Sequence, residues 1–310
     1  MNEEREKTTM RSYNSSSVKI LALVFGLSAA ACGSNDPAGD GGSGKIAFTT
    51  WGEDYIQDEI PVDPGDGSGF VDGWTVKYTK FLVNFKNIKV ADSSGATAAV
   101  FEESKLFDNH VSNPGVKSVV EFDDVSAKAW DRVSYQIVPV TDDTELDGSA
   151  TSADKQLMLD GGYSLYVEAS ASKDDVTKHY AWGFTVATQY NECHSEQDGK
   201  EEDGIVVKNN STVTVELTTH GDHLYYDRLQ ESPDPAVKTS LRFDDLAAAD
   251  DNDDGEVTLE ELNAAPLDVK LYNPSGLEAY TQGALVTSLA RTVGHFRGEG
   301  ECSISAIDEN

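Results

Sequence analysis

The twelve residues Asp250 to Glu261 read D-D-N-D-D-G-E-V-T-L-E-E and place oxygen donors at a spacing that can surround a single point. Asp250, Asn252 and Asp254 offer side-chain oxygens at the first, third and fifth positions. Glu256, Thr258 and Glu261 add further oxygens at the seventh, ninth and twelfth positions. Gly255 at the sixth lets the chain turn sharply. Hard oxygens in this order suit a hard divalent cation. A different chemistry is offered by His220-Gly-Asp-His223, with Tyr225, Tyr226 and Asp227 just behind. Two imidazoles around a tight turn can share a transition metal such as copper or zinc, with Asp222 beside them and His295 or His194 completing the set. The competing interpretation is a pair of hydrogen-bonded histidines at a strand end.

The Asp250–Glu261 run resembles the EF-hand loop at every diagnostic position, Val257 occupying the apolar eighth place. The resemblance implies calcium as the ligand, held in part by the Glu256 carbonyl, by water at Thr258 and by both carboxylate oxygens of Glu261, with Phe243, Leu246 and Ala247 in an entering helix and Leu259 and Leu262 in an exiting one that Pro266 cuts short. EF-hands pair, and no second run qualifies: Asp63-Pro-Gly-Asp-Gly-Ser-Gly has no closing acid. A lone loop implies a structural clip instead of a sensor, with a dissociation constant of about 10⁻⁴ to 10⁻³ M.

No enzyme motif accompanies these donors. Gly39 to Lys45 fits G-x-x-x-x-G-K, but Ile46 stands where a Ser or Thr would ligate magnesium and no strand precedes it. G-x-S-x-G, H-E-x-x-H and a dinucleotide fingerprint are all missing, so the sequence points to no catalytic residue and no enzymatic activity.

The elements that must hold the donors read mainly as strands. Trp74–Val90, Val133–Val140, Tyr163–Ala169, Tyr180–Tyr190 and Ser211–Thr219 are rich in β-branched and aromatic residues and are separated by Gly, Asp, Asn and Ser clusters. In the last of these Val213 and Val215 alternate with Thr212, Thr214 and Glu216, as expected of a half-buried antiparallel strand. No helical period lasts three turns before residue 227. Beyond Pro233, Leu241, Phe243, Leu246 and Ala247 recur at helical spacing, and Leu277, Tyr280, Ala284 and Leu285 share a face within 275–293. The fold class predicted is mainly β: an antiparallel β-sandwich over 45–232, then an α-rich region over 233–310 that carries the loop 250–261.

Charge and cysteines fix the setting. The chain's 310 residues include 55 acids against 24 Lys and Arg, for a net charge of −31. Such a surface repels nucleic acid and anionic lipid and attracts cations. Ile20 to Ala31 is apolar but, at twelve residues, too short to span a bilayer, and Lys19 and Arg11 precede it, as in a signal peptide over 1–31. Met10 is the expected start. Leu27-Ser-Ala-Ala-Ala-Cys32 resembles a bacterial lipobox, with Ala29 where Leu is usual, and implies lipidation of Cys32. Residues 32–44 read as a flexible Gly, Ser and Asp tether. Gly33 after the lipidated cysteine implies the outer membrane, on its periplasmic or cell-surface face, with the lipid as the only membrane contact. In that oxidising setting Cys193 and Cys302 are the one available disulfide pair. With Trp51-Gly-Glu-Asp-Tyr, Asp72-Gly-Trp-Thr-Val and Lys80-Phe-Leu-Val, the body resembles myxobacterial lipoproteins that join a β domain to a single EF-hand, a likeness that brings no activity with it.

Overall fold

Residues 75–91 show how the sequence builds the sheet. Apolar and polar side chains alternate at both ends of this stretch, whereas Phe81 to Phe85 are all buried, so the 17-residue strand runs from a half-exposed edge through the middle of the core. The computed structural model describes residues 41–113, 115–197, 200–229, 238–273 and 276–307; the segment 1–31 expected to direct export and Cys32, expected to carry lipid, lie outside them. Within them the protein is mainly β.

The principal strands are β1 (Ser43–Gly52), β2 (Thr75–Ala91), β3 (Thr97–Asp108), β4 (Lys117–Ser126), β5 (Arg132–Ile137) and β6 (Leu165–Lys173). They are followed by β7 (Val176–Phe184), β8 (Thr188–Asn191), β9 (Thr212–Thr219), β10 (Gly294–Phe296) and β11 (Ser303–Ala306). One sheet has the order β10-β9-β1-β4; the larger runs β7-β6-β2-β5-β8-β11, with β3 also on β2. Ile46, Phe48, Val215 and Leu217 of the first sheet and Val83, Phe85, Val167 and Trp182 of the second belong to the same buried cluster. This arrangement is compatible with a β-sandwich. β1 begins at Ser43, two residues inside the tether read from composition.

Several elements differ from the sequence expectation. β9 is antiparallel to β10 but parallel to β1, in a register from Lys45↔Thr212 to Gly52↔Thr219. Alternation reports which face is buried and not the direction of the neighbour. Tyr180–Tyr190 breaks into β7 and β8. A helix falls inside the β region: after α1 (Asp54–Gln57), α2 (Ser152–Gly161) is started by a reciprocal Thr151–Asp154 capping box and stopped by Gly162 at φ 63°. The capping is local, which makes a weakly amphipathic segment helical. Beyond the β region come α3 (Asp244–Ala247), α4 (Leu259–Ala264) and α5 (Gln282–Leu289). The helix expected over 275–293 is therefore only α5: Thr281 caps its start by accepting from the Ala284 N–H, which leaves Leu277 and Tyr280 outside.

Cys193 and Cys302 form a disulfide with α-carbons 4.1 Å apart, joining positions 109 residues apart in sequence. The bond lies beside the β8–β11 pairing and ties the chain's end to the larger sheet.

Candidate metal centre

The histidines are gathered by strand pairing. His220 follows directly on β9, and its N–H donates to the Val293 carbonyl at 2.9 Å. β10 runs antiparallel to β9 with His295 opposite Thr218. A 3₁₀ turn over Asp222–Tyr225 then brings His223 round. The turn depends on Gly221, where a Cβ would stand 2.7 Å from a Tyr78 ring carbon and 2.8 Å from the Ile56 Cγ1 methylene. Each of His220, His223 and His295 contributes a ring nitrogen to a set lying within 4.8 Å of one another. His220 and His295 are buried and His223 is half-buried.

Ring packing is close. His220 and His295 stack at 4.0 Å between centroids, His223 stands edge-on to His295 at 4.8 Å, and His220 and His223 are 5.5 Å apart. An ion bound through nitrogens at about 2.0–2.1 Å lies in the plane of each ring, so the stacked pair must splay to share one. Hydrogen bonds settle one tautomer. The Thr292 hydroxyl donates to the Leu289 carbonyl and so accepts from His223 Nδ1 at 2.9 Å, which leaves Nε2 with the lone pair. Nδ1 of His295 is buried and makes no hydrogen bond. Removal from water, helped by His220, holds the His223 imidazole down to about 3. Burial, with His220 and His223 adding to it, holds His295 down to about 2. Both rings are therefore neutral at ordinary pH, the form that ligates a metal.

Acidic groups stand on the other side of His220. Glu53 Oε2 is 3.3 Å from His220 Nδ1, and Oε1 accepts from the Gly221 N–H at 2.9 Å. Asp222 Oδ2 accepts from the Tyr226 hydroxyl at 2.9 Å. Burial and then the Asp222 charge push the Glu53 carboxyl far above the usual carboxylate range. Beyond the rings lies a cavity of about 630 Å³, whose lining includes His223, His295, Tyr226, Arg228, Glu299 and Cys302.

Of the two candidates for third histidine, the structure brings in His295. His194 instead lies 3.4 Å from Glu201 and outside the group. Glu53 was not singled out in the sequence. Its signal was available only through the parallel register Gly52↔Thr219, which sets the residue after β1 beside the residue after β9.

The loop Asp250–Glu261 is built differently. Gly255 turns at φ 88°. Asp250 Oδ1 accepts from the Asp254 N–H and Oδ2 from the Gly255 N–H, Asn252 accepts from Asp254, and Asp254 accepts from Glu256. The Lys178 ammonium lies 2.5 Å from Asp250 Oδ2 and holds that carboxyl below the usual range. Glu261 Oε2 accepts from both the N–H and the hydroxyl of Thr258 as the cap of α4, while its Oε1 is buried without a partner. Among the described residues no second loop is paired with it. The edge of β7 takes that backbone, since His179 donates to the Gly255 carbonyl and accepts from the Val257 N–H, each at 2.8 Å. Among the described residues the two groups of three or more potential ligands within 4.8 Å are His220–His223–His295 and Glu53–His220–Asp222, and neither includes this loop.

No protein-family model matches the chain, and no curated protein matches it. Among solved structures it is similar to MbnP from Methylosinus trichosporium, at 12% sequence identity over 66% of this chain and 87% of that chain, with a TM-score of 0.26. At so low a score nothing about fold or site is taken from it.

Proposed function

We propose that this protein binds a transition metal, copper or zinc, through His220, His223 and His295, and does so as an exported lipoprotein anchored through Cys32 and not as an enzyme. The supporting observation is the set of three imidazole nitrogens within 4.8 Å of one another. Imidazoles of this kind select borderline metals. Three protein ligands leave a coordination position to fill, and the cavity of about 630 Å³ beside His223 and His295 has room for what fills it. Titration of the metal-stripped full chain with Zn²⁺ and Cu²⁺ against a competing chelator is expected to show a tight site that His223→Ala/His295→Ala loses. Equal affinity in that variant and in the wild type would refute the assignment.

Calcium at Asp250–Glu261 is a second role, favoured by the αL turn at Gly255 and by the buried Glu261 Oε1, which makes no hydrogen bond. An ion there would take Asp250, Asn252, Asp254, the Glu256 carbonyl, water near Thr258, and Glu261, displacing the Lys178 ammonium from Asp250. Calorimetry with Ca²⁺ on the wild type and on Glu261→Gln tests it. No heat of binding in the wild type at millimolar calcium would sink it.

A further inference from the structure

Three histidines account for one side of the His220 ring and leave the acids on the other side without a role. Orienting His220 requires one carboxylate, and Glu53 alone, held by the Gly221 N–H, supplies it. Yet Asp222 stands within 4.8 Å of the same atoms, its Oδ1 buried and accepting no hydrogen bond. Glu299 Oε2 lies 4.0 Å from the same His220 Nδ1, on a side chain that is 90% exposed at the cavity. Carboxyl groups crowded round a buried imidazole nitrogen must either repel one another or keep a proton between them, as the raised Glu53 carboxyl beside Asp222 shows, and either arrangement is costly away from water. A cation between them removes either cost.

Resting on the three-histidine assignment above, we propose that the centre is binuclear: a second divalent cation is held by Glu53, Asp222 and His220 Nδ1, and His220 bridges the two ions through its two ring nitrogens. With Nδ1 turned to Glu53 Oε2, Nε2 is the atom left for the ion shared with His223 and His295. As the second ion arrives, the ring proton of His220 leaves to solvent. The two positions differ in chemistry, three imidazoles on one side against two carboxylates and one imidazole on the other. The acid side therefore suits a zinc-like or harder divalent ion, the histidine side copper or zinc. The exposed Glu299 carboxylate stands where an ion approaching from the cavity meets the first negative charge.

The experiment counts ions on the metal-stripped full chain. With Zn²⁺ the wild type should take two equivalents, Asp222→Asn one, and His223→Ala/His295→Ala one. With Cu²⁺ the electron paramagnetic resonance intensity should grow through the first equivalent and fall on the second, because a bridging imidazolate couples the two spins. Glu53→Gln, also nearly isosteric, repeats the count if Asp222→Asn does not fold by circular dichroism. A single wild-type equivalent, kept in Asp222→Asn and lost in the histidine variant, overturns the second ion and leaves the three-histidine site standing. A single equivalent with the opposite pattern overturns both the bridge and that site. Two copper equivalents whose signals simply add overturn the bridge.

Discussion

In the loop Asp250–Glu261 the donors are engaged mainly by the loop's own backbone, whereas at the histidines engaged and unengaged atoms stand side by side. Asp250 has a lysine and two backbone N–H groups, Asn252 and Asp254 have backbone N–H groups, and one oxygen of Glu261 caps a helix. His295 Nδ1, with the Glu301 carboxylate 4.0 Å away, and Asp222 Oδ1 make no hydrogen bond, and Nε2 of His223 keeps the inferred lone pair. A contiguous loop can satisfy its own oxygens through turns of two to five residues. Side chains delivered from separate strands have no local backbone to turn to, so their unmet polarity is a sharper sign of a missing ligand.

The widest separation of the two regions should come from the disulfide. Cys193→Ala/Cys302→Ala is expected to cost about 2–5 kcal/mol in chemical unfolding and to weaken zinc binding, because Cys302 lines the histidine cavity. The calcium response of the loop should survive in molecules that remain folded. A variant with undiminished zinc affinity would show that the cavity wall does not support the rings. Next, at zinc of about 100 times the dissociation constant of the three-histidine site, that site should contribute about 2.7 kcal/mol to the wild type, a contribution that His223→Ala/His295→Ala lacks. Thermal melts with zinc and with EDTA measure this. At calcium of about ten times its dissociation constant the loop should gain only about 1.4 kcal/mol, abolished by Glu261→Gln. Lys178→Gln should tighten calcium, since the ion no longer competes with an ammonium on Asp250; unchanged calcium affinity by calorimetry would mean that the lysine moves aside at no cost.

The smallest effect is in the pH dependence of the metal-free protein. Below their ordinary value of 6.5, His223 and His295 are protonated in the unfolded chain but stay neutral in the fold down to about 3 and about 2. The unfolded state then binds more protons, so stability falls as pH drops from about 6.5 toward 3. Asp250, whose folded value is lowered from 3.8, begins to lose its contribution as pH falls through 3.8, at the lower end of that range, and goes on losing it through its folded value. Acid titration of stability in His223→Ala/His295→Ala should flatten the upper window and leave the lower one.

What was legible in the sequence follows the same division. The loop's donors are consecutive, and their spacing could be read directly. The strand content was legible from β-branched runs, and the Cys193–Cys302 bond from there being one pair to make. His220 and His223 could be suspected from their spacing across a turn. The choice of His295 over His194 could not, because it rests on the β9–β10 register, which is specified by packing between segments more than seventy residues apart. Glu53 was hidden for the same reason behind a parallel pairing. The helix α2 was missed because a Thr–Asp cap and a terminal glycine outweigh a poor apolar face.

The parallel pairing of β1 with β9 also sets a timetable. Of these residues Glu53 is made first, His220 and His223 much later, and His295 last, while the contacts that assemble them are non-local and slow to form. A nascent chain that has not reached residue 296 holds the acids and two of the histidines but not the strand that seats the third. The complete histidine set therefore comes into being only once β10 has been made, and a chain truncated before β10 is born without it.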